Sequence, residues 1–115
     1  MTKLNEIISK CSLEIFSPPI NGDVEVEHGY TSDMLSDVIA NAGKNYIWIT
    51  MQTHVNTVAV AALKDIAAII LVNYHKPSTD TIETAKTKGI CLLGTVLSAF
   101  DISGRLYAAG LRGGK

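Results

Sequence analysis

The second half of the chain repeats one pattern, a strand-length apolar or β-branched run followed by a segment with helical spacing. The runs are residues 46–50, 67–72 and 90–93, and the helical segments follow near residues 56–64, 79–88 and 98–109. Runs that are apolar throughout are typical of strands buried on both faces. Strands that alternate with helices at this spacing form βαβ units with parallel strands. The pattern predicts an α/β fold, with a small, mostly parallel sheet flanked by helices in a three-layer α/β/α sandwich.

The first half of the chain predicts shorter elements. They are, in order, a helix at 4–11, a strand near 13–16, a turn at 17–22, a half-exposed strand over 23–30 and a helix at 34–42. The turn follows from adjacent prolines and an Asn-Gly pair, which defeat regular structure. Thr2 is expected to cap the first helix, and Ser32 or Asp33 the second, because short polar side chains accept from the first helical N–H groups.

One helical segment, residues 57–63, is apolar around its whole circumference. Such a helix is buried on both sides. One side is expected to meet the sheet, and the other to meet either another helix of the fold or a second subunit. The composition points the same way, since 47% of the residues are hydrophobic and only 18% are charged, against about 25% charged in soluble domains. A homodimer is therefore expected, with this helix at the interface.

Length and charge bound the class of protein. A chain of 115 residues is one domain by size, and residues 1–110 are expected to form it, followed by a flexible tail at 111–115. The net charge of -1 and the pI near 6.3 argue against a nucleic-acid partner, which usually calls for a basic surface. No apolar run approaches the ~20 residues of a membrane span, and no signal-peptide run opens the sequence. The expected location is cytoplasmic.

Polar side chains follow each of the three predicted parallel strands. In such sheets, ligands bind beyond the carboxyl ends of the strands, beside helix N-termini. The candidate ligand-binding residues at these junctions are Gln52, Thr53, His54, Asn56, His75 and Thr95. His54 could donate to a phosphate or carboxylate. The alternative is structural, with Asn56 as a helix cap and residues 52–54 bonded to loop backbone.

The sequence lacks the motifs that several classes of enzyme require. There is no G-x-x-x-x-G-K-[ST] phosphate loop, and the histidines and cysteines are not spaced as metal ligands. Cys91 lies in an interior run where desolvation raises a thiol pKa, and the spacing of Asp101 and Arg105 predicts a surface ion pair. No catalytic residue, metal or cofactor is therefore predicted. The alternative is a small enzyme that uses His54 as general acid or base.

Three stretches carry a resemblance to a known family. They read GYTSDMLSDV at 29–38, YIWITMQTHVN at 46–56 and SAF at 98–100. With them the chain resembles the stand-alone DRTGG-domain proteins over nearly its full length. The stretch that matches the naming motif is residues 23–29, where Asp23 and Gly29 keep the naming residues. Val24, Glu27 and His28 replace the arginine, the threonine and the first glycine.

The resemblance implies a domain similar to the N-terminal domain of HPr kinase/phosphorylase, without the kinase domain. Related domains are paired into dimers, and some lie between nucleotide-sensing CBS modules of pyrophosphatases as regulatory or assembly units. Free-standing members are encoded near iron-hydrogenase and NADH-linked redox subunits. The resemblance thus implies a non-catalytic, homodimeric regulatory or assembly module that binds a small phosphorylated or nucleotide metabolite. An alternative is a pure scaffold for redox-enzyme subunits.

Overall fold

In the computed structural model, which describes residues 2–19 and 22–114, short strands and helices alternate along the chain. In order they are β1 (Thr2–Lys3), α1 (Leu4–Lys10), β2 (Glu14–Ser17), β3 (Glu25–Val26), β4 (His28–Thr31), α2 (Leu35–Asn41), β5 (Tyr46–Thr50), α3 (Val55–Leu63), β6 (Ala68–Leu71), α4 (Thr79–Lys88), β7 (Leu92–Gly94) and α5 (Ala99–Ala108). The three strand-then-helix units predicted for the second half are confirmed. The predicted turn at 17–22 includes Ile20 and Asn21, which lie outside the described residues.

The main sheet has five strands in the order β2-β7-β6-β5-β4. Strands β7, β6, β5 and β4 are parallel to one another. Trp48 of β5 lies beside Ile69 of β6, and Ile69 lies beside Leu92 of β7. Only β2 is antiparallel, placing Glu14 opposite Gly94, and its register shifts between Ile15 and Ser17. The predicted fold class, a small and mostly parallel sheet, is confirmed.

Helices cover both faces of this sheet because its central strands are apolar on both sides. Alternate side chains of a strand point to opposite faces, so Ile47 and Ile49 belong to one core and Trp48 to the other. The first core is shared with α1 and α5, and the second with α2, α3 and α4. This is the predicted three-layer α/β/α sandwich. Within the described residues, no helix is long and apolar enough to cross a membrane.

Helix α3 is less enclosed than its composition predicts. It packs beside α2 and α4, and Thr57, Val58, Val60 and Ala61 are buried. Ala59 is exposed and Leu63 is 68% exposed. The neighbouring helices of the same chain thus cover part of α3, and burial of the exposed stripe by a second subunit stays a prediction.

The first half of the chain departs from prediction where pairing partners lie far apart in sequence. The strand expected over 23–30 is divided, because β3 pairs with β1 in a separate two-stranded sheet while β4 joins the main sheet. Thr2 lies in β1 opposite Val26 and caps no helix. Helix α2 begins at Leu35 with Met34 as its N-cap residue, without a side-chain cap. The expected caps are therefore wrong.

Residues 111–114 lie against the domain, where the sequence predicts a flexible tail. Leu111 is buried, and the Arg112 carbonyl accepts a hydrogen bond from the Gly29 N–H at 2.9 Å. The Arg112 guanidinium carbon lies 3.6 Å from the centre of the Tyr107 ring. These contacts form because β4 is an edge strand, whose free backbone groups accept another segment. Lys115 lies outside the described residues.

Candidate ligand-binding clefts at the carboxyl edge of the sheet

Two separate clefts open where the parallel strands end. The first, here the β5 cleft, has a volume of about 430 Å³ and is lined by Met51, Gln52, Thr53, His54, Val55, Ser78, Asp80 and Thr81. The second, here the β7 cleft, has a volume of about 350 Å³ and is lined by Cys11, Ser12, Glu14, Phe16, Tyr74, His75, Lys76, Gly94, Thr95, Val96, Leu97 and Arg105.

The six residues predicted from the sequence do not form one site. Gln52, Thr53 and His54 line the β5 cleft, whereas His75 and Thr95 line the β7 cleft. Asn56 is exposed in the first turn of α3 and lines neither cleft. The separation follows from the sheet order, because β6 lies between β5 and β7 and keeps the two loops apart.

The floor of the β5 cleft is held by hydrogen bonds to Asp33. One of its carboxylate oxygens accepts from the Thr50 hydroxyl at 2.8 Å and from the Met51 N–H at 2.9 Å. The Gln52 side-chain amide donates to the Asp33 carbonyl at 3.2 Å, and the Thr81 hydroxyl donates to the Thr53 carbonyl at 2.9 Å. Asp33 therefore joins two strand ends, and the Gln52 amide is engaged with backbone.

His54 caps α3, a role the sequence suggested for Asn56. Its Nδ1 accepts from the Asn56 N–H at 3.1 Å, so Asn56 supplies the donor and His54 the acceptor. This bond assigns the ring proton of the neutral imidazole to Nε2. For Nδ1 to contact a ligand, His54 would have to give up the cap. Asp80 is the fixed charge that lines this cleft, and it opposes an anionic ligand.

The β7 cleft is built where the antiparallel edge strand meets the end of β7. Glu14 pairs with Gly94, and the Phe16 ring lies directly over Gly94, so close that an added Cβ would be 2.6 Å from Phe16 Cε2. The loops after β6 and β7 are joined by backbone hydrogen bonds, with the Tyr74 N–H donating to the Thr95 carbonyl at 2.9 Å. Three segments distant in sequence thus form one concave surface.

Of the two cationic side chains that line the β7 cleft, Lys76 has an acidic partner, and Arg105 has none among the described residues. Lys76 Nζ lies 3.8 Å from a Glu14 carboxylate oxygen and 4.9 Å from the centre of the Tyr74 ring. Arg105 makes no ion pair within 4.0 Å among the described residues, so the surface pair expected with Asp101 is absent. Among the carboxylate, ammonium and guanidinium groups of the lining, one negative and two positive side chains give a net charge of +1. This cleft favours an anion.

Burial raises the pKa of the Cys11 thiol, which also lines the β7 cleft, and the nearby charges of Arg105 and Lys10 partly oppose that effect. Burial raises the pKa of Cys91 to about 12, which agrees with its predicted interior position. Both thiols are held in the protonated form at neutral pH, and the protonated thiol is a weak nucleophile.

Tyr74 has an unusual backbone at the rim of the β7 cleft. Its φ is +60° and that of Asn73 is +55°, two successive residues in the left-handed region. Asn tolerates this conformation, but a bulky residue pays about 1–2 kcal/mol for it. The Tyr74 side chain is 62% exposed, so the conformation gains no core burial from the ring.

Among the residues that line the β7 cleft, the sequence prediction named His75 and Thr95 as ligand-binding and did not name Tyr74, Lys76 and Arg105. Tyr74 and Lys76 flank His75 in the loop after β6, so their position after a strand could have identified them as candidates. Arg105 stands in the second half of α5 and gave no such signal, because a cation four residues from an acid is typical of a solvated helix face. The β2 side of the cleft depends on long-range pairing that the sequence pattern does not specify.

The sheet order, the helices on both faces and the clefts at the carboxyl edge define an α/β sandwich of the open-sheet class. A comparison with protein families gives no match, and neither does a comparison with curated proteins. Among solved structures, the fold is similar to that of the CBS and DRTGG domains of the regulatory region of Clostridium perfringens pyrophosphatase, complexed with the activator diadenosine tetraphosphate.

That similarity has a TM-score of 0.78 at 22% sequence identity and covers 96% of this chain and 48% of the other. The chain therefore spans about half the length of its structural neighbour. At this identity the likeness shows the fold. Within residues 2–19 and 22–114, no three His, Cys, Asp or Glu side chains gather as a metal site.

Proposed function

We propose that this chain is a non-catalytic regulatory or assembly domain that binds a small anionic metabolite in the β7 cleft. The observation that carries the proposal is the Arg105 guanidinium, a cation at a concave site without an ion pair among the described residues. An unpaired guanidinium offers a planar fork of donors that suits phosphate and carboxylate groups. The proposal moves the predicted ligand site from His54 to the neighbouring cleft and keeps His75 and Thr95 in it.

The structural neighbour supports a regulatory role. It is described as a regulatory region in complex with an activator, diadenosine tetraphosphate. A phosphorylated ligand for this chain is consistent with that likeness and with the positive lining of the β7 cleft. The similarity to the N-terminal domain of HPr kinase/phosphorylase stays a prediction from the sequence.

A thermal-shift screen tests the ligand. The panel contains adenine nucleotides, nicotinamide cofactors and phosphorylated sugars, each at millimolar concentration. A ligand at a hundred times its Kd stabilises the folded state by about 2.7 kcal/mol. We expect Arg105→Gln to remove the shift, and Lys86→Gln, on an exposed α4 position outside both clefts, to retain it.

The two clefts give different outcomes in this screen. His54→Gln should leave the shift intact, because His54 lines the β5 cleft alone. A shift that His54→Gln removes and Arg105→Gln retains would assign the ligand to the β5 cleft and contradict the proposal. No shift with any compound would contradict the ligand-binding role.

The assembly role includes the expected homodimer. Large apolar side chains stand exposed at Phe100 (87%), Val96 (70%) and Leu63 (68%). Contiguous exposed apolar surface is typical of protein contacts, and Val96 and Phe100 flank the start of α5. Light scattering that gives a concentration-independent monomer would contradict the dimer. If Phe100→Ser yields a monomer and Leu63→Ser does not, the contact lies at α5 and not at the predicted α3.

Contacts with hydrogenase or NADH-linked redox subunits stay a prediction of the sequence resemblance. Exposed Phe100 and Val96 suit a scaffold as well as a homodimer. Co-purification of the chain with larger redox subunits, lost in Phe100→Ser, would favour the scaffold role.

A further inference from the structure

We propose that the ligand of the β7 cleft is a nucleoside monophosphate, with its base stacked on Tyr74 and its phosphate on Arg105. This inference rests on the proposed function, since it names the ligand of the same cleft. It is carried by the combination of one exposed aromatic ring, one guanidinium without an ion pair among residues 2–19 and 22–114, and one cavity of limited volume.

Tyr74 has the position of a stacking residue. Its ring is exposed at the cleft rim although its backbone occupies the left-handed region, which a bulky residue rarely adopts. The conformation is imposed by backbone bonds, with Asn73 donating to Leu97 at 2.8 Å and Tyr74 donating to Thr95 at 2.9 Å. Strained residues of this kind cluster at ligand sites. The ring is exposed, so a flat conjugated group can pack on it.

The contact between Lys76 and Tyr74 involves one face of the Tyr74 ring. The Lys76 ammonium lies 4.9 Å from the centre of the Tyr74 ring and is also held by Glu14. A cation therefore lies over one face of the ring, and the proposed base would stack on the other face. Stacking of a base on an aromatic side chain tolerates any base, because each base has a π-face.

The polar groups of the cleft match one phosphate. Arg105 supplies a fork of donors without a carboxylate partner among the described residues. The buried Thr95 hydroxyl accepts from the Leu97 N–H at 3.1 Å, which leaves its own proton to donate to a ligand oxygen. The net lining charge of +1 suits a monophosphate better than a polyphosphate.

The volume sets the size of the ligand. At about 350 Å³, the cleft lies near the lower end of small-molecule sites, which span about 300–1,000 Å³. One nucleoside monophosphate fits this volume, whereas a dinucleoside polyphosphate would have to extend beyond the cleft. This volume supports a mononucleotide as the proposed ligand.

Isothermal titration of the full chain with AMP, GMP, CMP, adenosine and inorganic phosphate tests this assignment. We expect all three mononucleotides to bind more tightly than adenosine or phosphate alone. Tyr74→Asn should weaken AMP binding about tenfold and leave phosphate binding unchanged, while Tyr74→Phe stays within about threefold of the wild type. Arg105→Gln should weaken both AMP and phosphate.

The outcomes separate this inference from the proposed function. If Tyr74→Asn binds AMP as tightly as the wild type, stacking is refuted while the anion site stands. If AMP, GMP, CMP and phosphate all fail to bind the wild type at millimolar concentration, the anion site itself is refuted. Asn suits the left-handed backbone better than Tyr, so Tyr74→Asn should unfold at the same or a higher urea concentration. A variant that unfolds earlier would contradict the strain on which the inference depends.

Discussion

Gly94 has no room for a side chain, and Gly94→Ala measures how tightly the edge strand is held. An ideal Cβ at this position would lie 2.6 Å from Phe16 Cε2 and 3.1 Å from Phe16 Cζ. Ordinary contact begins near 3.4 Å, so the ring would have to retreat by about 0.8 Å. Phe16 is held by β2, which pairs with β7 on both sides of it, through Ile15 and Ser17.

Overpacking of a filled site usually lowers the free energy of unfolding by about 1–3 kcal/mol. We expect a loss in that range for Gly94→Ala, or a fall in Tm of about 4–12 °C for a domain of this size. Urea unfolding followed by fluorescence gives the value directly, because Trp48 is the single tryptophan and is fully buried. The m-value should not change, since the clash acts on the folded state.

Gly29→Ala is the matched control. Gly29 also lies in a strand of the main sheet, and an added Cβ there meets nothing within 4 Å. We expect its free energy of unfolding to stay within about 0.5 kcal/mol of the wild type. The predicted clash with Phe16 is refuted if Gly94→Ala loses no more stability than Gly29→Ala. It is also refuted if Gly94→Ala and Phe16→Ala are additive within about 0.5 kcal/mol, because residues in contact should be coupled.

Three further changes test other parts of the fold. Cys91 is buried with its pKa raised to about 12, so iodoacetamide at pH 8 should modify Cys11 first by mass spectrometry; equal rates would contradict the burial. The hydrogen bond to Asp37 raises the pKa of Tyr30, so its stabilisation is complete below the unfolded pKa of about 10 and is lost as pH rises through the folded pKa. Tyr30→Phe should therefore be less stable at pH 7, and the gap should close at high pH; a gap constant with pH would refute this. Ser98 caps α5 by accepting from Asp101, so Ser98→Ala should lose about 1 kcal/mol in urea unfolding, and Ser98→Asp should not.

The sequence predicts the fold class because the relevant signal is local. Apolar runs followed by helical spacing identify β5, β6, β7 and their helices without knowledge of any partner, and Ser78 and Ser98 cap the helices that follow them. No local signal indicates the division of 23–30 into two strands. Its cause is the pairing of Val26 with Thr2, a contact between segments that share no sequence pattern.

The candidate site was predicted only in part, for the same reason. Chain order shows which residues follow a strand, but sheet order decides which loops are neighbours. The side of the β7 cleft formed by β2 comes from an antiparallel strand near the start of the chain, so no pattern around His75 or Thr95 could indicate it. The assignment of the α3 cap to His54 instead of Asn56 depends on a ring orientation set by the folded loop.

The position of β2 also constrains the order of folding. Trp48 and Ile69 pair across a sequence separation of 21 residues, whereas Glu14 and Gly94 pair across 80. Closing the longer loop costs about 1 kcal/mol more in chain entropy. The parallel strands can therefore assemble first, and β2 should join last and detach first.

The β7 cleft exists only once that last step is complete, because one of its walls is the segment around Glu14 and Phe16. A molecule bound between the two walls binds the closed state alone and shifts the opening equilibrium of the edge strand. Occupancy of the cleft would then slow hydrogen exchange at residues 14–17 while leaving the central strand β5 unchanged.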